Sequence, residues 1–472
     1  MNVTKNEKQG ALKAGLWYTV SSITVKAITV LTTPIFTRMM TTSDYGIATT
    51  FISWYTLLLV FSSLNLTYSI GRAKLDFPGK LDEYVGSMQL LSFLTTIAVS
   101  GLSLFLLKPI AKFMELNEML VLMLMLYLLF APTISFTQSK YRYQYQYKAN
   151  IGIALYTTVS SVLITLPFML FFREDRYYAR VLGTVLPAVV LSCVFWLKSF
   201  RGKTIKPNKE YWKYGLAISL PLILHSVSLN ILSQSDRIMI TKFSGTEYTG
   251  IYSLAYSYAI LINIVMHAVN EAWLPWFHDT YFANNLASIK KNVKPLVALG
   301  CMLGIGCIAI APEAMKILGP IEYQAGQWVV GPVTIGVVCQ FIYQQYVHIE
   351  LHLKKTKYIS FGTMLAAGLN IILNLYFIPR YGFVAAAYTT LFCYLVLMGV
   401  HFAITRKLLK VHLYDDKYMF GAIFVIAGIA VVFMSLYSTI VVRYALLIVF
   451  CVVYLFANRK YIVHILKKRM NK

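Results

Sequence analysis

Lys26 stands alone as a charge inside a long apolar run, Gly15 to Phe36. An ammonium at that depth is costly unless it faces water or a partner, so it marks a functional position by default. It shares a helical face with Thr19, Ser22, Thr29 and Thr33, at spacings of 3, 4, 3 and 4. Three more apolar runs carry such stripes: Thr49, Ser53, Thr56, Ser63 and Thr67; Ser219, Ser226, Asn230, Ser233 and Arg237; Tyr252, Tyr256, Asn263, His267 and Asn270. A single stripe reads equally well as small residues packing or bonding back to their own helix. Four of them, in the first, second, seventh and eighth runs, point to a shared polar cavity. Cations dominate it and its mouths: Lys13, Lys26, Arg38, Arg72, Lys213 and Arg237 against Asp236 and Glu271. The chemistry this suits is binding of clustered negative charge, a phosphate or diphosphate, which arginine holds in fork geometry. Lys13, Arg72 and Lys213 read equally as anchors at a cytoplasmic face. Asp236, Glu271 and His267 are the candidates for carrying a coupling H+ or Na+; no catalytic set, metal site or other cofactor is expected.

Several motifs dissolve on inspection. Gly202-Lys203-Thr204 ends like a phosphate-binding loop, but Leu197 stands where its first glycine belongs. His348-Ile349-Glu350-Leu351-His352 places its glutamate one position off the zinc-protease pattern and reads as a polar helix end before Lys354-Lys355. Asn65-Leu66-Thr67 is a chance sequon. The six cysteines fall in apolar runs without metal or disulfide spacing.

The elements that must position these residues are membrane helices. Hydrophobic residues make up 58% and charged residues 13%, with mean hydropathy +0.63, well below the charge content of soluble domains. The net charge of +24 therefore belongs to loops at a membrane rather than to nucleic-acid binding. Runs long enough to cross a bilayer predict fourteen helices, near 15–37, 45–70, 84–107, 117–138, 150–172, 180–197, 212–236, 249–273, 294–315, 326–350, 358–378, 383–405, 418–439 and 441–458. With both termini cytoplasmic, 31 of the 43 Lys and Arg fall on the inside and eleven, including Arg173, Arg176, Arg180 and Arg237, on the outside. Gly15 to Phe36 is too long for a cleavable signal.

The chain also repeats itself. Lys13-Ala14-Gly15-Leu16 recurs as Lys213-Tyr214-Gly215-Leu216, and Ser43-Asp44-Tyr45-Gly46-Ile47 recurs, with one insertion, as Thr246-Glu247-Tyr248-Thr249-Gly250-Ile251. The expected fold is all-α: an N-lobe over 1–210, a C-lobe over 211–410, related by a pseudo-two-fold axis along the membrane normal, and two further helices with a basic tail over 411–472. Repeat lobes flanking a midplane site are a transporter layout.

Gln234-Ser235-Asp236-Arg237-Ile238-Met239-Ile240 with Tyr248 to Tyr256 resembles the hallmark of helices 7 and 8 in bacterial O-antigen and capsular polysaccharide flippases. Asn370 to Gly382 and Ala385 to Thr390 resemble that family's signature between helices 11 and 12, with Ala385 in place of its second glycine. The resemblance implies alternating access between lobes in the bacterial cytoplasmic membrane. It further implies transfer of an undecaprenyl-diphosphate-linked oligosaccharide to the outer leaflet, alongside polysaccharide polymerase and chain-length machinery. On this reading the diphosphate enters near Arg72 and Lys213, pairs with Lys26 and leaves past Arg38 and Arg237. A multidrug exporter of the same superfamily would carry acidic cavity residues. A polymerase or ligase would need a large external loop, which the spacing of the runs excludes.

Overall fold

The structure, a computed structural model, describes residues 5–457. The basic tail from Arg459 and the side chains of Lys13 and Thr19 lie outside the described residues. The first half runs α1 (Lys5–Met39), α2 (Thr42–Ser62), α3 (Ile70–Asp76), α4 (Leu81–Leu104), α5 (Leu107–Met114), α6 (Glu118–Tyr143), α7 (Tyr147–Phe171) and α8 (Tyr177–Arg201). The second runs α9 (Lys209–Phe243), α10 (Thr246–Ala259), α11 (Ile262–Phe282), α12 (Leu286–Ala309), α13 (Ala311–Leu318), α14 (Gln327–His352), α15 (Thr356–Tyr381) and α16 (Val384–Ala403). A π-helical turn, Ile404–Leu408, then leads to α17 (Asp416–Ser435) and α18 (Ile440–Ala457).

Among the described residues, thirteen spans are long and apolar enough to cross a membrane, with α10 and α11 counted as one, and Ile440–Tyr454 is a shorter apolar helix. The chain is thus a multi-pass, all-helical membrane protein close to the expected fourteen helices. Two boundaries differ in a way that matters. Helix α8 begins at Tyr177 and α9 continues to Phe243, so Arg180 and Arg237 lie within helices rather than in external loops. The second helix stops at Ser62, short of the expected residue 70, because Leu64 and Asn65 adopt positive φ and a separate short helix follows.

Apolar side chains of α2, α6 and α8 form one core, and those of α12, α14, α15 and α16 form another. The two groups meet most closely where α2 lies against α10. Thr41 caps α2 reciprocally with Asp44, which fixes where that helix starts. Gly46 and Gly250 then let the two backbones touch. A Cβ on Gly46 would fall 1.8 Å from the Thr246 carbonyl oxygen, and one on Gly250 would fall 2.1 Å from that of Thr42. The repeated motif therefore marks a reciprocal contact between the two halves. At the other end of the bundle, the start of α9 packs on α3 and α4: Trp212 Nε1 donates to the Ser87 carbonyl at 3.0 Å, and Tyr214 Oη to Asp76 at 2.6 Å.

Asp175 and Glu322 share the α1–α2 end: their neighbours Arg176 and Leu318 contact Met39 and Thr37. Thr204 sits at the opposite end, its carbonyl against Gly86 of α4. With both termini cytoplasmic, as the charge asymmetry leads us to expect, the α1–α2 end is the external one. Single cysteines near Asp175 and Glu322 should react with impermeant reagents on whole cells, and those near Lys203 and Lys355 should be protected. Labelling of both sets from outside would refute this orientation.

Candidate functional site

A cavity of about 610 Å³ lies between the two groups of helices, within the range of small-ligand sites. Helix α2 contributes Tyr45, Thr49 and Ser53; α6 contributes Ser135 and Gln138; α7 contributes Thr157, Thr158 and Ser161. Thr29 and Thr32 of α1, Ser253 and Ser257 of α10, and Gln234 of α9 complete the polar wall. Two charges line it among the described residues, Arg180 and Arg237, and both are positive.

Arg237 is held in place. Its guanidinium lies over the Tyr256 ring at 4.5 Å and donates to the Ser233 carbonyl at 2.8 Å. Arg180 lies over the Phe36 ring at 4.3 Å and has no hydrogen-bonding partner among the described residues. A guanidinium carries five donors, so both arginines have unused donors at a hydroxyl-lined cavity. Tyr45 lies within the field of both cations. A half-open, doubly cationic cavity with no carboxylate in its lining has the charge to suit an anion, and the fork geometry of a guanidinium matches phosphate oxygens.

The other sequence-derived residues scatter. Lys26 is exposed on α1, one turn before the cavity residue Thr29. The apolar span runs Val20–Met39, so Lys26 lies about 9 Å inside it and about 5 Å from its midpoint at 1.5 Å per residue. An ammonium at that depth is tolerated only where it reaches water or a partner. Arg38 is exposed at the α1–α2 end, where it bonds the Pro34 carbonyl at 3.1 Å. Arg72 and Lys213 are exposed at the opposite end, and Arg72 pairs with Asp76 at 2.9 Å. Tyr214 and Arg72 together hold the Asp76 carboxyl below its usual range by hydrogen bonding. His267 and Glu271 form an exposed 3.9 Å pair on α11.

Asp236 is buried and fully engaged. One oxygen accepts from Asn374 Nδ2 at 2.8 Å; the other accepts from Tyr252 Oη at 2.6 Å and Thr390 Oγ1 at 2.8 Å. Asn370 bonds Ser235 and Thr390, and Thr389 donates to Asn374. The two separate sequence signatures thus form one polar cluster that ties α9 to α10, α15 and α16.

The stripes serve two ends. Part of them lines the cavity; another part zips the halves together. Ser53 bonds Gln234 at 3.1 Å, Asn230 bonds the Thr56 carbonyl at 3.0 Å, and Ser226 accepts from Asn65 at 2.9 Å; beside them Thr50, outside the stripes, bonds Thr241 at 2.6 Å. Arg180 is the residue that sequence reasoning placed elsewhere, as an external loop charge. Its signal was present: Arg180, Thr184 and Ala188 recur at i, i+4 and i+8 along α8 and all three line the cavity.

Residues 11–281 match the sequence pattern of a family described as polysaccharide biosynthesis protein. A Haemophilus influenzae protein named for the Lsg locus is 27% identical over 191 residues, which is 39% of this chain and 45% of that one. The alignment thus spans less than half the length of that curated relative. The fold is similar to that of the lipid II flippase MurJ in an inward closed conformation, with TM-score 0.72, 14% identity, and coverage of 95% of this chain and 99% of the other. An inward-facing multidrug resistance MATE transporter gives TM-score 0.60 at 12% identity, covering 83% and 98%. A superfamily transporter from Pyrococcus furiosus, reported as having a binding pocket of reversed polarity, gives 0.57 at 12%, covering 89% and 96%.

Proposed function

The chain belongs to the polysaccharide biosynthesis protein family, and on that premise we propose that it moves an undecaprenyl-diphosphate-linked oligosaccharide from the inner to the outer leaflet of the bacterial cytoplasmic membrane. It is a membrane transporter and not an enzyme. The observation that carries the reading is the cavity with Arg180 and Arg237 as its charges and hydroxyl and amide groups around them. The arginines take the diphosphate and the hydroxyl wall takes the sugars. The lipid tail stays in the bilayer. Lys26, exposed at the approach to the cavity, meets the diphosphate on its way in, and Arg38 meets it on its way out at the α1–α2 end. Arg72 and Lys213 draw anionic headgroups to the opposite end. An H+ or Na+ gradient resets the lobes; of the carriers the sequence offers, Asp236 already accepts three hydrogen bonds, and His267 and Glu271 stand exposed on α11. A cationic-drug exporter is disfavoured, since its ligand would meet two arginines and no carboxylate.

The test is restoration of surface polysaccharide in a flippase-deficient strain, read together with loss of the lipid-linked intermediate that accumulates there. Lys26→Met keeps the length and removes the charge, so it should lower export several-fold at unchanged membrane level. Lys26→Arg should keep most of it. Wild-type export by Lys26→Met would remove the lysine from the path. Failure of the native protein to complement in strains representing several glycan classes would sink the reading itself.

A further inference from the structure

Glu350 on α14 and His401 on α16 are both completely buried, and Glu350 Oε1 lies 2.8 Å from His401 Nδ1. Each ends in an atom with no partner: Glu350 Oε2 and His401 Nε2. Neither residue reaches the cavity, and the polar cluster around Asp236 does not include them. Among the described residues no side chain bonds either of these two atoms. Gly362 of α15 backs the ring so closely that a Cβ there would sit 2.9 Å from Nε2. Tyr343 of α14 stacks on the imidazole at 5.6 Å, and Tyr394 of α16 stacks on Tyr343.

The surrounding charges are already committed. Arg406 bonds Asp416 at 2.6 Å and the carbonyls of Val411 and Tyr414. Tyr346 donates to Asp416, and His348 packs toward Phe277 of α11. From α15 and α9 come Thr363, beside Gly362, and His225, which bonds Thr363 at 2.9 Å. No described ion pair joins Glu350 or His401 to a third residue.

We propose that Glu350 and His401 together bind the proton that drives transport, a site separate from the anion cavity. The argument is one of charge. With a carboxylate and a neutral imidazole, the pair has net charge −1 in an apolar core, which is strongly unfavourable. One proton from the aqueous phase, shared between carboxyl and imidazole, makes it neutral. The two unpartnered atoms are the places where that proton can sit or leave. Release returns the pair to −1 and needs water at the site, so it requires α14, α15 and α16 to part. Loading and release are thereby tied to different arrangements of these helices. The helix is irregular there: α16 passes into a π-helical turn three residues after His401, a feature frequent at functional sites, and Thr405 of that turn donates to the His401 carbonyl at 3.0 Å. Gly362, Thr363 and His225 link the pair to α9, which carries Arg237 and the seam with α2. This proposal rests on the transporter reading for its purpose but not for its test.

The test needs no glycan. Full-length protein reconstituted in lipid is stepped between about pH 5 and pH 8, the range in which histidine titrates, and the carboxylic C=O stretch is followed by infrared difference spectroscopy. The wild type should show one buried carboxylic acid titrating. Glu350→Gln should lose that band, and His401→Gln should change the pH at which it appears. The double variant Glu350→Met/His401→Leu replaces the pair by apolar groups, which folds where a single variant fails. It should stay monodisperse, lose the band and lose pH-dependent export. A band that survives Glu350→Gln, or that vanishes in Asp236→Asn instead, overturns the proposal. So does pH-dependent export by the double variant equal to wild type. Loss of the band as expected without any glycan export by the native protein would count against the flippase reading and leave the proton site standing.

Discussion

Arg237→Ala should abolish surface polysaccharide, and Arg180→Ala should reduce it by about ten- to hundred-fold, the worth of one or two charge-assisted hydrogen bonds. The two differ because of how each is held. Arg237 is 8% exposed, stacked on Tyr256 and tethered to Ser233, so its remaining donors point in a fixed direction and little entropy is lost on binding. Arg180 rests only on the Phe36 ring and must be ordered by the ligand. Arg237→Lys keeps the charge but loses both the fork and the planar stack, so it should behave closer to the alanine variant than to wild type. Arg180→Lys should keep a substantial part of export. Membrane protein level measured in parallel separates transport from folding. Binding provides a second readout: undecaprenyl diphosphate should stabilise the purified wild type against heating more than the monophosphate does, and Arg180→Ala/Arg237→Ala should erase the difference. Normal export by the double variant would mean that the cavity cations do not meet the substrate.

How much of this was written in the sequence depends on which physical signal a residue leaves. Hydropathy alone located the helices, because a span must be apolar over its whole length and cannot hide that in water or lipid. The ends were less legible. Arg180 and Arg237 look like loop charges because each lies within a few residues of an end; only the i, i+4, i+8 series along α8 reveals that Arg180 points inward. Periodicity showed that the Ser and Thr residues of α2 and α9 share faces. It does not say whether such a face meets water or another polar face, and part of it meets another face: Ser53 to Gln234, Asn230 to the Thr56 carbonyl. Glu350 was the least legible residue. Beside Lys354-Lys355 it reads as a surface group, yet its partner stands 51 positions away on a different helix, a distance over which a single sequence gives no pairing signal. Gly46 and Gly250 were visible as a repeat, but the repeat does not announce that the two copies of the motif touch each other.

That contact supports the last expectation. Gly46→Leu and Gly250→Leu should each stop export without removing the protein from the membrane. Backbone meets backbone at both glycines: the added Cβ would lie 1.8 Å from the Thr246 oxygen and 2.1 Å from the Thr42 oxygen, and no side-chain rotation relieves either clash. Helices α2 and α10 must separate instead. Overpacking of this kind costs about 1–3 kcal/mol, enough to deplete the closed arrangement about ten- to hundred-fold. The residues on either side of each glycine form the rest of the seal, with Ser43 and Thr246 hydroxyls 2.7 Å apart and Ser253 bonding Thr49 at 3.1 Å. If the α1–α2 end is external, this seal keeps the cavity shut to the outside while the other end admits substrate, and a cycle of alternating access must break and remake it. A Ser43→Cys/Thr246→Cys pair is close enough for a disulfide. In the otherwise native protein it should cross-link readily, halt export, and release it on reduction. In the Gly46→Leu background the same pair should cross-link far more slowly, because the helices no longer meet. Equal cross-linking in both backgrounds, or full export by Gly46→Leu, would show that the glycine contact is not a state the transporter has to visit.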